Sequence, residues 1–154
     1  MRSLPFLLVA LGATACIRTS TNPATGKVDV DVTSPFQKGA VWNGTVSSVA
    51  SSATFTGTVK AVALNNQTTV QVSLDNAPPG MVVPWTLHED VCGSAGPMVG
   101  DASNYPPITI GGNGHGEGSG TAPGNLNQAK RYHVNFHASQ SDMATIVACA
   151  DLKS

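Results

Sequence analysis

Apolar and polar residues alternate along most of this chain. Phe55-Thr56-Gly57-Thr58-Val59 and Val70-Gln71-Val72-Ser73-Leu74 place apolar side chains at every second position, the period of a strand with one buried face. The same pattern predicts strands over residues 40–49, 53–64, 68–74, 81–89, 115–121, 132–137 and 145–152, with a short one at 108–110. Turn residues fall between them. Asn65-Asn66 marks a hairpin, Asp75-Asn76-Ala77-Pro78-Pro79-Gly80 is a turn cluster, and Gly111-Gly112-Asn113-Gly114 is another. About eight short strands at this spacing predict an all-β domain, a sandwich or an eight-stranded Greek-key β-barrel.

Composition agrees with that pattern and narrows the chemistry. The 154 residues suffice for one domain with a usable core, and 16 glycines and 10 prolines favour strands and turns over helices. Only 11% of residues are charged and the net charge is −1, so no electrostatic field would hold nucleic acid. The glycine run from Gly111 to Gly120 lacks the Lys-Ser/Thr ending of a phosphate loop, and hairpin glycines explain it better. His115 within it reads as a solvent-exposed residue.

The first residues have a different character. Arg2 supplies a positive start, residues 4–11 are a short apolar core, and Ala13-Thr14-Ala15 is a small-residue cleavage site, so residues 1–15 read as a signal peptide. The apolar run is too short to span a bilayer permanently. Cleavage would leave Cys16 first, which resembles a bacterial lipobox and predicts lipidation; the plain alternative is a secretory signal followed by chance by cysteine. Residues 16–38 are rich in Thr, Ser, Asn, Pro and Gly and read as a lipid-anchored tether, with Val28-Asp29-Val30-Asp31-Val32 alternating like a short edge strand. The folded domain is expected over residues 39–154. The expected location is the cell envelope or periplasm, with the membrane as partner through the lipid; the alternative is a secreted protein.

Export changes how the cysteines read. With Cys16 assigned to lipid, Cys92 and Cys149 remain as an even pair in an oxidising compartment. A bond between them would close a loop of 57 positions and stabilise by about 4 kcal/mol in the chain-entropy model. Two buried free thiols are the competing reading.

The stretch Pro84-Trp85-Thr86-Leu87-His88-Glu89-Asp90-Val91-Cys92-Gly93-Ser94-Ala95-Gly96-Pro97-Met98 carries a family resemblance. Together with Val134-Asn135-Phe136-His137 and Ala148-Cys149 it resembles the copper/zinc superoxide dismutase family, in order over residues 39–152. The resemblance implies an eight-stranded Greek-key barrel and a Cys92–Cys149 disulfide. It also implies a copper site whose positions fall on Thr86, His88, Met98 and His137.

The departures from the family bear on activity. Thr86 and Met98 stand where the family carries histidines, and Ile146 stands where it carries the arginine that attracts superoxide. Only Asp101 in residues 99–107 is a plausible zinc ligand, so no zinc is expected. Two imidazoles and a thioether (His88, His137 and Met98) suit Cu(I) better than redox-cycling copper. His133 shares a strand face with His137 but lies roughly 13 Å away at about 3.3 Å per residue, too far to join it on one ion. Glu89 and Asp90 read as surface carboxylates, and Trp85 as a packing residue. The expectation is an exported domain without catalytic residues or dismutase activity, acting as an envelope binding or structural module, with copper as the only candidate cofactor. A copper-dependent dismutase and a Cu(I)-handling protein are the alternatives. The sequence names no protein partner and no oligomeric state.

Overall fold

The computed structural model describes residues 16–21, 28–33, 39–49 and 54–154. The expected signal peptide, residues 1–15, lies outside them. The chain divides into two units, Met1–Lys38 and Gly39–Ser154. In the first, β1 (Cys16–Thr21) and β2 (Val28–Thr33) pair antiparallel, with Cys16 opposite Thr33. The segment expected as a tether therefore contains a two-stranded ladder, and the Val/Asp alternation is its second strand.

The second unit is all-β among its described residues, apart from a 3-10 turn at Ala102–Asn104. Its strands are β3 (Ala40–Ser48), β4 (Thr56–Leu64), β5 (Gln67–Asp75), β6 (Val82–Val83), β7 (Trp85–Glu89), β8 (Ile108–Thr109), β9 (Gly116–Pro123), β10 (Tyr132–Ser139) and β11 (Asp142–Leu152). Seven of them form one antiparallel sheet in the order β7-β10-β11-β3-β4-β5-β9, curled into a half-barrel. Strand β3 thus meets β11, the last strand of the unit, as well as its neighbour β4.

Alternation produces the core. Trp42 and Val46 of β3, Val59 and Ala61 of β4, and Val70, Val72 and Leu74 of β5 all point inward and are buried. Their sequence neighbours Asn43, Thr45, Thr58, Lys60 and Gln71 are exposed. The hairpin between β4 and β5 turns at Asn65 and Asn66, with φ of 53° and 59°, the left-handed region that asparagine tolerates better than most residues.

The expected single strand over 81–89 is two strands. Pro84 has no backbone N–H to give a ladder, so pairing changes partner there: β6 pairs with β8, and β7 with β10. The segment bearing β8 packs directly on the glycines of β9. A Cβ on Gly118 would stand 2.6 Å from Ile108 Cγ1, and one on Gly120 2.5 Å from the Asn104 carbonyl oxygen. Only residues without a side chain permit that approach.

Candidate functional site

Strands β7 and β10 are the part of the sheet where alternation does not divide dry from wet. Trp85, Leu87, Val134 and Phe136 point into the core as expected. The opposite face carries Thr86, His133, Asn135 and His137, and all four are also buried. Register explains the grouping, because residues directly opposite each other share a face. Thr86 lies opposite Asn135, which lies opposite Cys149; His88 lies opposite His133, which lies opposite Asp151.

The segment after β7 covers this polar face. The Cys92 and Cys149 sulfurs are 2.06 Å apart, at disulfide distance, and the Cys92 N–H donates to Asp151 Oδ1 at 2.7 Å. The chain therefore leaves β7, passes over β10 and is fastened to β11. It then returns: the Gly96 carbonyl meets the His88 ring, Glu89 N donates to Pro97 O, and Val99 N donates to Leu87 O. Gly96 is required at the return, because a Cβ there would collide with the Glu89 carbonyl oxygen. Beyond it, the Tyr105 hydroxyl donates to the Val99 carbonyl, and burial pushes the phenol up to about 12.

Beneath this cover, Thr86 joins two histidines. Its Oγ1 is 2.9 Å from His88 Nε2 and 2.7 Å from His137 Nε2, while His88 Nδ1 is 2.8 Å from the Gly96 carbonyl oxygen. A carbonyl only accepts, so His88 Nδ1 carries a proton and donates to it. With neutral rings, His88 Nε2 accepts the Thr86 hydroxyl proton, and His137 Nε2–H donates to Thr86 Oγ1. The chain of bonds is complete as far as His137 Nδ1, which has no hydrogen-bond partner among the described residues. Burial pushes the His137 pKa down from its usual value, so the neutral ring is favoured.

The sequence weighs His133 only against His137 and does not pair it with His88. In the fold, His133 is 0% exposed and stacks on His88 with ring centroids 5.5 Å apart and planes inclined at 24°. Neither of its ring nitrogens has a hydrogen-bond partner among the described residues, and the same holds for Asn135 Oδ1 and Ser94 Oγ. Burial lowers the His133 pKa, with the His88 ring contributing in the same direction. Spacing along β10 relates His133 only to His137. The pairing with His88 depends on the register between β7 and β10, which no single strand reveals.

Of the candidate copper residues, the structure brings His88 and His137 to one hydroxyl. Met98 stands opposite His88 in an isolated antiparallel bridge and is 39% exposed. Among the described residues, no three His, Cys, Asp or Glu side chains are grouped closely enough to hold a metal ion. A groove of about 470 Å³ opens beside Thr86, lined by Pro84, Tyr105, Pro106, Gln140 and Met143 among others, and none of its lining residues is charged. Glu89 and Asp90 are paired with Lys130 and Arg131, at 2.7 Å and 2.9 Å. Cys16, the expected lipidation site, is the first residue of β1. No protein-family model, curated protein or solved structure matches the chain.

Proposed function

We propose that the chain is an exported, lipid-anchored domain of the copper/zinc superoxide dismutase type, a Greek-key barrel without dismutase activity that acts as a binding or structural module of the cell envelope. The order of strands supports the barrel. The β6–β8 pair is a separate two-stranded sheet that follows on from β7 across Pro84. The segment bearing β8 packs on the glycines of β9, the opposite edge strand of the large sheet, an arrangement compatible with a barrel. The disulfide that fastens the segment after β7 to β11 fits the same family.

One observation carries the functional half of the proposal. The Thr86 hydroxyl occupies the position between His88 Nε2 and His137 Nε2, and bonds to both. The nitrogens that would face a copper ion are engaged with the protein, and an ion would have to replace both bonds. The uncharged groove beside Thr86 adds to this, because a superoxide anion gains no steering from it. The module reading therefore treats His88, Thr86 and His137 as a structural polar network.

A second reading is copper handling. Met98 faces the His88 side of β7 and is partly exposed, so a thioether and an imidazole stand on one edge, a donor pair that suits Cu(I). Titration of the full chain with Cu(I) and Cu(II), with superoxide decay followed in parallel, separates the readings. The module predicts neither turnover nor binding that depends on His88 or His137. Cu(I) binding without turnover, lost in His88→Ala and Met98→Leu, would favour handling. Turnover abolished by both His88→Ala and His137→Ala would overturn the proposal.

A further inference from the structure

We propose that His115 and Glu117 form a two-ligand surface site for a divalent transition-metal ion of the Cu(II) or Zn(II) kind, with Asp75 behind His115 as an orienting carboxylate and not a ligand. The three residues meet where β5 ends and β9 begins. Asp75 is the last residue of β5, and the pairing of Leu74 with Gly116 brings the start of β9 alongside it. His115 and Glu117 flank Gly116, so alternation turns both side chains to one face.

His115 Nδ1 is 2.8 Å from Asp75 Oδ1. A carboxylate accepts, so the neutral ring carries its proton on Nδ1 and presents a lone pair at Nε2. That lone pair faces Glu117 Oε1 at 3.7 Å. The separation is too long for a hydrogen bond, and in the neutral ring both atoms are acceptors. Metal bonds of about 2.0–2.2 Å from an imidazole nitrogen and a carboxylate oxygen, at a tetrahedral angle, set these atoms about 3.4 Å apart. A shift of a few tenths of an ångström in an exposed carboxylate closes the difference, and Glu117 is 76% exposed.

Asp75 fills the role that a carboxylate plays behind a metal-bound histidine: it fixes the tautomer and aims the other nitrogen. The protein supplies two ligands and water the rest, so binding is weaker than at a closed site. Imidazole with carboxylate suits Cu(II), Zn(II) and Ni(II), and Cu(II) binds tightest of these. The Asp75 hydrogen bond raises the His115 pKa, so the proton is the metal's competitor and the site is best read above neutral pH. None of the three residues belongs to the His88–Thr86–His137 network.

The test is a Cu(II) titration of the full chain at pH 8, read by paramagnetic broadening of assigned amide resonances. Broadening is expected to centre on residues 115–117 and 75, to disappear in His115→Ala, and to persist in the His88→Ala/His137→Ala double variant. Asp75→Asn is expected to raise Kd about tenfold or more, the usual effect of removing a carboxylate behind a ligand histidine. The His115 and Asp75 side chains are 40% and 54% exposed whereas His137 is buried, so the dispersed spectrum of each variant verifies its fold. The site is overturned by broadening centred elsewhere, by no broadening at all, or by a Kd that His115→Ala leaves unchanged.

Discussion

The two halves of the curled sheet use the same alternation for different ends. In β3, β4, β5 and β9 one face is dry and the other meets water, so a polar residue on the outside needs no partner from the protein. In β7 and β10 the outer face is also covered, so its polar groups must find partners within the protein. Thr86 bonds to His88 and His137, whereas the His133 ring nitrogens and Asn135 Oδ1 have none among the described residues. Thr58 and Thr86 illustrate the difference. Both are threonines on the outer face of a strand, yet Thr58 is exposed and Thr86 is 1% exposed, between two imidazoles. Covering both faces turns strand residues that would be interchangeable into a network that is not.

The comparison is most directly broken by removing the cover. Replacing both Cys92 and Cys149 by serine is expected to lower stability by about 4 kcal/mol in the chain-entropy model. Hydrogen exchange should speed up in β7 and β10 well before β4 and β5; a uniform increase across all four would show that the covering segment has no local role. Next comes Gly96→Ala, whose Cβ collides with the Glu89 carbonyl and should cost about 2 kcal/mol by overpacking, measured by urea denaturation. Thr86→Val keeps the shape but leaves His88 Nε2 and His137 Nε2 without their partner, for about 2 kcal/mol. Thr58→Val should stay within about 0.5 kcal/mol. Equal losses for the two valine variants would sink the contrast between the halves.

The mildest expected effect at any one pH comes from acid. His133 and His137 have folded pKa values lowered by burial, so the unfolded chain binds protons more readily than the folded one. Stability should therefore be insensitive to these groups above about pH 6.5 and fall as pH drops below that ordinary histidine value. Thermal melts at pH 7.5 and 5.5 check the sign. A His133→Asn variant should show a shallower loss, and an unchanged slope would assign the acid sensitivity to other groups.

Much of this molecule was legible in the sequence, for an identifiable reason. Alternation reports which face of a strand is dry, so the β3–β4–β5 run, its Asn65-Asn66 turn and its core residues were readable. The pair Cys92 and Cys149 followed from counting cysteines, and Thr86 and Met98 stood out as departures from a family pattern. What escaped depends on register and on paths between strands. His133 looks like an outward residue until the segment after β7 is seen to cross β10. The bonding of Thr86 to both imidazoles requires β7 and β10 in a particular alignment. Asp75 and His115 lie 40 positions apart, and no local pattern links them. The Pro84 break was visible as a residue but not as an exchange of partners, because the second partner, β8, is two residues long.

The meeting of β3 with β11 also has a consequence for how the domain is made. The first strand of this unit cannot complete its pairing until the last one arrives, and β7 waits in the same way for β10. Folds built on such distant pairings form slowly, because chain closure must precede most of the favourable contacts. Docking of β11 on β10 also holds Cys149 at disulfide distance from Cys92, so assembly of the sheet favours this pairing. A thiol trap applied early in folding is expected to catch more unpaired Cys92 than one applied late.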